Sequence, residues 1–361
     1  MTAERFFAQS YAEARSKFTA AAEAAGLDVQ SHGHPLVGRD GEGLAMDVAR
    51  FGSADAQALL VITSACHGAE GYCGSGVQNA LLADGRFHAA AHAGGVAVLY
   101  VHGLNPYGFS WLRRTTQENV DLNRNWCDFA RPLPRNTGYD EIAHWVVPAT
   151  WPPPREAEAG LAAYATQHGE RALQAALSAG QYHHPEGLFF GGHQPTWSRQ
   201  TFTHVLQEHG QRCKRIASID LHTGLGPSGH GERIFADRDD AGSLARARAW
   251  WGAAVTSIYD GSSASALLNG LLFHGFHELC AQAEYTGVAL EYGTLPMPQV
   301  MAALRADQWL YNHPEASAEQ RATIKRQMRD AFYVDTPQWK QQVVEQGFET
   351  ARQAVAGLTV G

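Results

Sequence analysis

Four short apolar runs constrain the fold of this chain more than any other feature of its sequence. They cover residues 58–62, 96–101, 216–221 and 287–291. Such near-continuous apolar runs suit strands that are buried on both faces of a sheet. Amphipathic helical patterns lie before and between them, for instance over 4–25, 155–179 and 241–257. Strands interleaved with helices predict an α/β fold, with a mixed, mostly parallel sheet flanked by helices.

The proline-rich segment 148–154 is the clearest break in this pattern. We interpret it as a surface loop, because the apolar runs on its two sides are expected to join one sheet. The sequence therefore predicts a single domain over residues 1–361 with an insertion at about 128–205. After Pro298 the pattern is mostly helical, and we expect helices over 302–310, 316–332 and 337–358.

The composition argues against several classes of partner. The net charge is -8, the pI is about 6.1 and no block of Lys and Arg occurs, so we expect neither nucleic acid nor an anionic membrane surface as a partner. No apolar stretch approaches the roughly 18 residues that span a bilayer. The N-terminus lacks a basic segment followed by an apolar one, and the five cysteines form no Cys-x-x-Cys pair. These features predict a cytoplasmic protein with reduced thiols.

A histidine and a glutamate follow the first apolar run, three residues apart. His67 and Glu70 on a tight turn after a buried strand can hold one face of a zinc ion. The pair alone is weak evidence, because the chain has 18 His and contains a second copy, His183 and Glu186. No apolar strand precedes that copy, and a rigid metal site needs ligands on regular elements. We therefore interpret the second copy as a solvent-facing loop pair.

The third apolar run leads into Asp220-Leu221-His222. Asp220 and His222 share one face of an extended chain, at the strand end where α/β proteins bind ligands. We predict His222 as a third zinc ligand, and three protein ligands leave one position open for water. A hydrogen-bonded core histidine is the alternative at this point. A second metal held by Asp220, His230 and Glu232 also stays open.

Two further features suggest chemistry rather than packing. The stretch 111–126 is dense in Arg and Asn, and the donor fork of Arg fits a carboxylate or stabilises an oxyanion. A solvated loop with surface ion pairs is the alternative. Glu291 lies within the last apolar run, where a carboxylate is expensive unless it has a task or a partner. A salt-bridged strand end is the alternative for Glu291.

One stretch carries a family resemblance. Asp121-Leu122-Asn123-Arg124-Asn125-Trp126 resembles the Asp-x-Asn-Arg-Asn-aromatic motif of the M14 zinc carboxypeptidases, and it lies downstream of His-x-x-Glu as in that family. Over nearly its whole length the chain is similar to a bacterial group of M14-like proteins known as a domain of unknown function (DUF2817). Segments 6–15, 105–109, 187–192 and 220–226 carry this closer resemblance. It implies the three-layer sandwich of the zinc carboxypeptidases.

The resemblance implies a metal centre and a catalytic base. The residues that match the ligands of a single zinc ion are His67, Glu70 and His222. Glu291 matches the catalytic glutamate near the end of a late strand. Asp121 matches the carboxylate that orients the first zinc histidine, and Asp220 is expected to support His222 in the same way.

The resemblance also implies a substrate site. Asn123 and Arg124 match the pair that binds the terminal carboxylate of the substrate. Arg114 matches the arginine that polarises the scissile carbonyl, although neighbouring Arg113 is an alternative for that place. Tyr259 resembles the substrate-binding tyrosine of the family.

These implications point to zinc-dependent hydrolysis of amide bonds in a small peptide, in the manner of a carboxypeptidase. The alternative is a deacylase of small N-acyl amino acids, as in the aspartoacylase and succinylglutamate desuccinylase branch, which also carries an Asp-Leu-His motif. A non-catalytic metal-binding protein is a further alternative, against which Glu291 argues. We expect no serine hydrolase, because Gly-x-Ser-x-Gly is absent. We expect no Cys66 nucleophile, because adjacent residues at a strand end face opposite sides.

Overall fold

The computed structural model describes residues 2–359, and the strands assigned within that range join one sheet. The strands are β1 (Val29–Val37), β2 (Gly43–Phe51), β3 (Ala58–Ser64), β4 (Val96–His102), β5 (Arg215–Ser228), β6 (Gly231–Phe235), β7 (Thr256–Ser257) and β8 (Glu284–Gly293). Their spatial order is β1-β2-β4-β3-β5-β8-β6-β7. Residues 1 and 360–361 of the predicted domain lie outside the described range.

Helices account for most of the remaining regular structure. They are α1 (Tyr11–Ala24), α2 (Gly71–Leu82), α3 (Gly85–Ala93), α4 (Pro106–Ser110), α5 (Thr137–Val146), α6 (Arg155–His168), α7 (Glu170–Ser178), α8 (Trp197–Gly210), α9 (Ala241–Trp251), α10 (Phe273–Leu279), α11 (Met297–Asn312), α12 (Ala318–Phe332) and α13 (Pro337–Thr359). Short 3-10 helices cover Ala3–Phe6, Gly68–Glu70 and Leu122–Arg124. No helix in the described range is both long enough and apolar enough to cross a bilayer.

The four apolar runs of the sequence form the middle of the sheet. They correspond to β4, β3, β5 and β8, which are consecutive neighbours and pair in parallel. β6 and β7 are also parallel, whereas the pairs β1–β2, β2–β4 and β6–β8 are antiparallel. This arrangement confirms the predicted α/β fold with a mixed, mostly parallel sheet flanked by helices.

Alternate residues of the central strands build two separate apolar layers. Leu60 and Ile62 of β3 pack into a cluster with side chains from α1, α2, α3, α9 and α13. Leu59 and Val61 of the same strand pack on the other face with side chains from α8 and α10. Because strand side chains alternate in direction, one continuous apolar run serves both layers. The result is a helix–sheet–helix sandwich with the central strands buried on both faces.

Several predicted boundaries were wrong for local reasons. The third strand does not end at 221 but continues as β5 to Ser228, past a register shift after Thr223. The helical pattern at 155–179 is two helices, because Gly169 between them adopts φ 94°. The pattern at 241–257 ends at Trp251, before Gly252 with φ 93°, and β7 follows. The helix expected over 4–25 begins only at Tyr11, where Ser10 caps it.

The region 128–205 holds α5, α6, α7 and the first part of α8. None of the described strands lies in it, so it interrupts the chain between β4 and β5 without adding to the sheet. The three C-terminal helices follow β8, as the sequence predicted. We propose on this basis that the chain is one domain with a helical insertion.

Candidate active site

Three neighbouring parallel strands bring distant parts of the chain to one edge of the sheet. Thr63 of β3 pairs with Asp220 of β5, and His222 of β5 pairs with Glu291 of β8. β3 ends at Ser64, and His67 follows within three residues. This edge is the carboxyl end of the strands, where α/β sheets bind their ligands.

The turn after β3 depends on a close approach between two backbones. Ala65 adopts φ 57°, in the left-handed region, and so turns the chain sharply at the strand end. A Cβ on Gly68 would lie 2.0 Å from the carbonyl carbon of Gly108, so only glycine fits there. Ala69 then donates its N–H to the carbonyl oxygen of Arg113 at 2.8 Å. These contacts fix the turn that carries His67 and Glu70.

The three predicted metal ligands converge in the structure. His67 Nδ1 lies 2.9 Å from Glu70 Oε1 and 3.3 Å from His222 Nδ1. His222 Nδ1 lies 3.1 Å from Glu70 Oε2. All three side chains are buried, and their ligand atoms lie within 4.8 Å of one another. The backbone N–H of Thr223 donates to Glu70 Oε2 at 3.0 Å, which fixes the carboxylate between the two rings.

The other ring nitrogen of each histidine contacts a buried carboxylate. His67 Nε2 lies 3.2 Å from Asp121 Oδ1, and His222 Nε2 lies 2.6 Å from Asp220 Oδ2. Thr63 Oγ1 in turn donates to Asp220 Oδ1 at 2.6 Å. Metal-binding histidines usually have such a partner, which fixes the tautomer and the orientation of the ring. Asp121 and Asp220 therefore lie where the sequence predicted supporting carboxylates.

The charges of this cluster are strongly coupled. Burial alone would raise the pKa of Glu70, but His67 and His222 outweigh it and hold that pKa below its usual value. Burial would lower the pKa of His222, and Asp220 together with Glu70 reverses this and raises it well above 6.5. In Asp121 the nearby Arg114 and His67 overcome burial and lower the pKa far below its usual value. The cluster therefore attracts positive charge between its histidine rings.

Glu291 has the opposite electrostatic environment. Burial and the nearby negative charge of Glu70 raise the pKa of Glu291 from 4.5 to about 8. The backbone N–H of Leu225 donates to Glu291 Oε1 at 3.0 Å and holds the carboxyl group in place. The pKa of Glu70 is lowered and that of Glu291 is raised. Two carboxyl groups of one site whose pKa values differ in this way typically have different roles, one as a charged group and the other as an acid or base.

The structure separates the two adjacent arginines. Arg114 lines the same cavity as the histidines and donates Nε to Asp121 Oδ2 at 2.9 Å and Nη1 to Glu70 Oε1 at 3.3 Å. Its Nη2 lies 2.8 Å from His67 Nε2, so it competes with Asp121 for that nitrogen. Arg113 is buried elsewhere, with Nε 3.1 Å from Asp307 Oδ2 and its guanidinium over the ring of Tyr311. Only Arg114 of this pair faces the site.

The substrate residues implied by the motif are brought to the site only in part. Asn123 and Arg124 both line the cavity. Arg124 donates Nε and Nη2 to the carbonyl oxygen of Ser178, which joins it to α7. Tyr259 lies outside the cavity lining that the structure describes, and its hydroxyl donates to the carbonyl oxygen of Asp237. The structure therefore gives Tyr259 a packing position because its hydroxyl is already engaged on the backbone after β6.

Sequence reasoning missed Phe189, which lies beneath both arginines of the site. The ring centroid is 5.1 Å from Cζ of Arg114 and 5.6 Å from Cζ of Arg124. Phe189 is buried and adopts φ 55°, a left-handed conformation that is uncommon for a bulky residue. Such strain tends to persist at functional sites. The flanking glycines of segment 187–192 were the one sequence signal for an unusual backbone there.

Three other features that the sequence suggested do not contribute to this site: the second His-x-x-Glu pair, the alternative second metal site and the Cys66 thiol. His183 and Glu186 are exposed, as expected for a loop pair. His230 and Glu232 belong to neither group of potential metal ligands found among residues 2–359, so these two residues do not join Asp220 in a second metal site. Cys66 is grouped with Asp220 and His222, and burial raises the pKa of its thiol well above the usual value, which disfavours a thiolate.

Comparison with curated proteins gave no match. Among solved structures, the chain is similar to carboxypeptidase A from Helicoverpa armigera, with 9% identity over 90% of this chain and 74% of that chain and a TM-score of 0.44. It is also similar to a Shewanella denitrificans protein described as a candidate carboxypeptidase A, with 12% identity over 96% of this chain and 69% of that chain and a TM-score of 0.47. A third similar structure is a Shewanella amazonensis protein assigned to the succinylglutamate desuccinylase/aspartoacylase family, with 17% identity over 79% of this chain and 71% of that chain and a TM-score of 0.32. The family model described as "Protein of unknown function (DUF2817)" matches residues 7–346, and the chain therefore belongs to that family.

Proposed function

We propose that this protein is a zinc-dependent hydrolase of amide bonds that acts in the manner of a carboxypeptidase. The observation that carries the proposal is the convergence of His67, Glu70 and His222 beside a buried glutamate, all on one cavity. A structural zinc site would favour four protein ligands and would need no Glu291.

The donor atoms fit a zinc ion. Two ligand atoms about 2.0–2.1 Å from a tetrahedral zinc lie about 3.3–3.4 Å apart. The two Nδ1 atoms of His67 and His222 are 3.3 Å apart, and each lies about one such edge from an oxygen of Glu70. The donor set of two imidazoles and one carboxylate is a common one for catalytic zinc and leaves room for a further ligand. Zinc held there would supply a water of lowered pKa and polarise a carbonyl oxygen.

Glu291 is our candidate for general base and acid. In the metal-free protein its pKa is raised to about 8, and the positive charge of a bound zinc would lower it toward neutrality, where proton transfer in both directions is efficient. We propose that Glu291 accepts a proton from the attacking water and later donates it to the leaving amine. The N–H of Leu225 holds one oxygen of its carboxyl group, which leaves the other oxygen for the reaction.

The arginines would bind the substrate. Arg114 lines the cavity beside the ligands, and we assign it to the charge that develops on the carbonyl oxygen. Arg124 and Asn123 line the same cavity, and we assign them to a free carboxylate of the substrate. Arg124 retains N–H groups beyond those donated to Ser178 and Asn123, so it has donors available.

A deacylase of small N-acyl amino acids is the second candidate. Its support is the position of α7, which belongs to the predicted insertion and lines the cavity with Leu173 and Leu177. Gln174 on the same helix donates Nε2 to the carbonyl oxygen of Ala264 at 2.9 Å. An inserted helix that lines the site in this way favours a small substrate over a long peptide.

Metal analysis together with an activity screen tests the proposal. We expect one zinc per chain in the wild type, loss of zinc in His222→Ala, and hydrolysis of dipeptides or of N-acyl amino acids. His183→Ala is the matched control, because this histidine also precedes a glutamate by three residues but is exposed. Wild-type protein that binds no zinc would overturn the site, and stoichiometric zinc without hydrolysis would favour a binding protein.

A further inference from the structure

The cavity that holds the metal ligands is mostly apolar. Its volume is about 510 Å³, which is large enough for a drug-sized molecule. Beyond the polar groups already assigned, its lining is dominated by aliphatic side chains from α7, β6, α11 and the segment before α10. The proposed chemistry uses none of these side chains.

Two different apolar clusters meet at this cavity. One wall comes from the cluster that contains Leu177, Val300 and Leu304. Another part of the lining comes from a second cluster, which lies on one face of the sheet and contains Ile234 and Leu271. Because both walls are apolar, water in the cavity gains few hydrogen bonds, and an apolar ligand gains by displacing it.

The segment 261–269 and α7 both line the cavity and contact each other. Gln174 donates to the carbonyl oxygen of Ala264 at 2.9 Å, and the N–H of Asn269 donates to the carbonyl oxygen of Ala179 at 3.0 Å. Large apolar side chains also lie at the surface here: Leu267 is 56% exposed and Met297, which lines the cavity, is 39% exposed. We call this apolar part of the cavity the chamber, and apolar surface continues to its outside.

We propose that the substrate carries an extended apolar group of several carbons, which fills this chamber while the amide lies at the metal ligands. This inference rests on the proposed amide hydrolase. The group has two potential sources: the acyl chain of an N-acyl amino acid, or the side chain of a C-terminal residue. The two sources share the same chemistry, and substrate series separate them.

Two series of substrates, given to the zinc-loaded protein, test the proposal. The first is N-acylglycines with acyl chains from acetyl to decanoyl, and the second is N-acetylglycyl dipeptides ending in Ala, Val, Leu or Phe. We expect kcat/KM to rise about fourfold per added methylene in one series until the chamber is filled, as follows from ~0.8 kcal/mol per buried CH₂. The responding series identifies the source.

The outcomes distinguish this inference from the proposed function. Hydrolysis that is independent of chain length in both series would overturn the apolar group and leave the hydrolase intact. If zinc binds but nothing is hydrolysed, the proposed function fails. The inference is then decided by calorimetry with carboxylates from acetate to decanoate, where affinity that does not rise with chain length overturns it.

Variants of the chamber give a second, independent readout. Leu173→Ser on α7 is expected to flatten the dependence on chain length. Leu161→Ser on α6 is the matched control, since this leucine is also partly buried but does not line the cavity. Ala266→Trp is expected to shift the optimum to shorter chains. Identical profiles for Leu173→Ser, Ala266→Trp and wild type would overturn the proposal.

Discussion

His222 and Glu291 are direct neighbours across the parallel pair of β5 and β8. Side chains of paired residues on adjacent strands point to the same face of a sheet. The sheet itself therefore places the proposed base beside the third metal ligand, and no flexible loop is needed to bring them together. Sites built on strands keep their geometry more accurately than sites built on loops.

Replacing Glu291 with Gln is expected to abolish hydrolysis and leave zinc in place. Glu291 belongs to none of the groups of potential metal ligands among residues 2–359, so metal content should stay at one per chain. Loss of general base and acid catalysis typically lowers the rate by about 10²–10⁴. Metal analysis and initial rates on the best substrate check this. Glu186→Gln, at the exposed second His-x-x-Glu, is the control and should keep full activity.

The same variant should stabilise the metal-free protein, in a way that depends on pH. The folded-state pKa of Glu291 is raised to about 8, so folding disfavours its ionised form. Above the unfolded-state pKa the unfolded chain loses this proton first, and stability falls as the pH rises toward 8, by up to about 1.4 kcal/mol per pH unit. With a chelator present, the Tm difference between Glu291→Gln and wild type should be small near pH 4.5 and grow up to pH 8. A difference that is constant over this range would contradict the prediction.

The supporting carboxylates should control metal affinity. Asp220→Asn and Asp121→Asn each remove a charged partner of a ligand histidine, and such changes typically weaken metal binding by about 10–100-fold. Competition with a chelator of known affinity measures the effect. Asp140→Asn is the matched control, because Asp140 also contacts a histidine, with Oδ1 3.1 Å from His184 Nε2, but lies apart from the site. Equal zinc affinity in all three variants would show that the contacts of Asp121 and Asp220 are not linked to metal binding.

Phe189 is expected to matter for catalysis through the two arginines above it. A cation over an aromatic face contributes about 0.5–2 kcal/mol, so Phe189→Leu should lower kcat/KM by about 2–30-fold. Phe190→Leu is the control, because Phe190 is equally buried but contacts His193 instead of the arginines. A similar loss in both variants would indicate general packing damage.

Arg113 and Arg114 should separate into a stability residue and an activity residue. Arg113 is buried and paired with Asp307, which Lys325 also contacts, so Arg113→Ala removes one of two cations from a buried carboxylate and should lower the free energy of unfolding by about 1–3 kcal/mol. The folded fraction should keep its activity within twofold. Arg114→Ala should lower kcat at least about tenfold, as loss of an oxyanion donor does. Denaturation curves and rates corrected for folded protein test the pair.

The sequence was most informative where a pattern follows directly from burial. The central strands were predictable because each one is buried on two faces. The strands β1 and β2 were missed, because β1 is an exposed edge strand with Gly33 and Pro35, and β2 carries the buried Asp47, whose charge is paired with Arg15. A charged residue whose partner is distant along the chain resembles a loop residue when only the sequence is considered.

Some residues of the site were also predictable from the sequence, and others were not. A short motif and its spacing sufficed to select three residues that converge, because metal geometry restricts which residue types are candidates. The choice between Arg113 and Arg114 depended on the local backbone, where the preceding Leu112 adopts φ 51°. The position of Tyr259 depended on a hydrogen bond to a distant carbonyl group, and the position of Phe189 on a left-handed conformation. None of these leaves a periodic signal in sequence.

The separation of the ligands along the chain makes the metal a reporter of folding. His67 and His222 are 155 residues apart and meet only when β3 pairs with β5. In the unfolded chain only the local pair His67 and Glu70 stays close together, so we expect zinc to prefer the native state. At a free zinc concentration of 100 times Kd this linkage adds about 2.7 kcal/mol to stability. Removing zinc should therefore lower the free energy of unfolding, because it removes a link between β3 and β5.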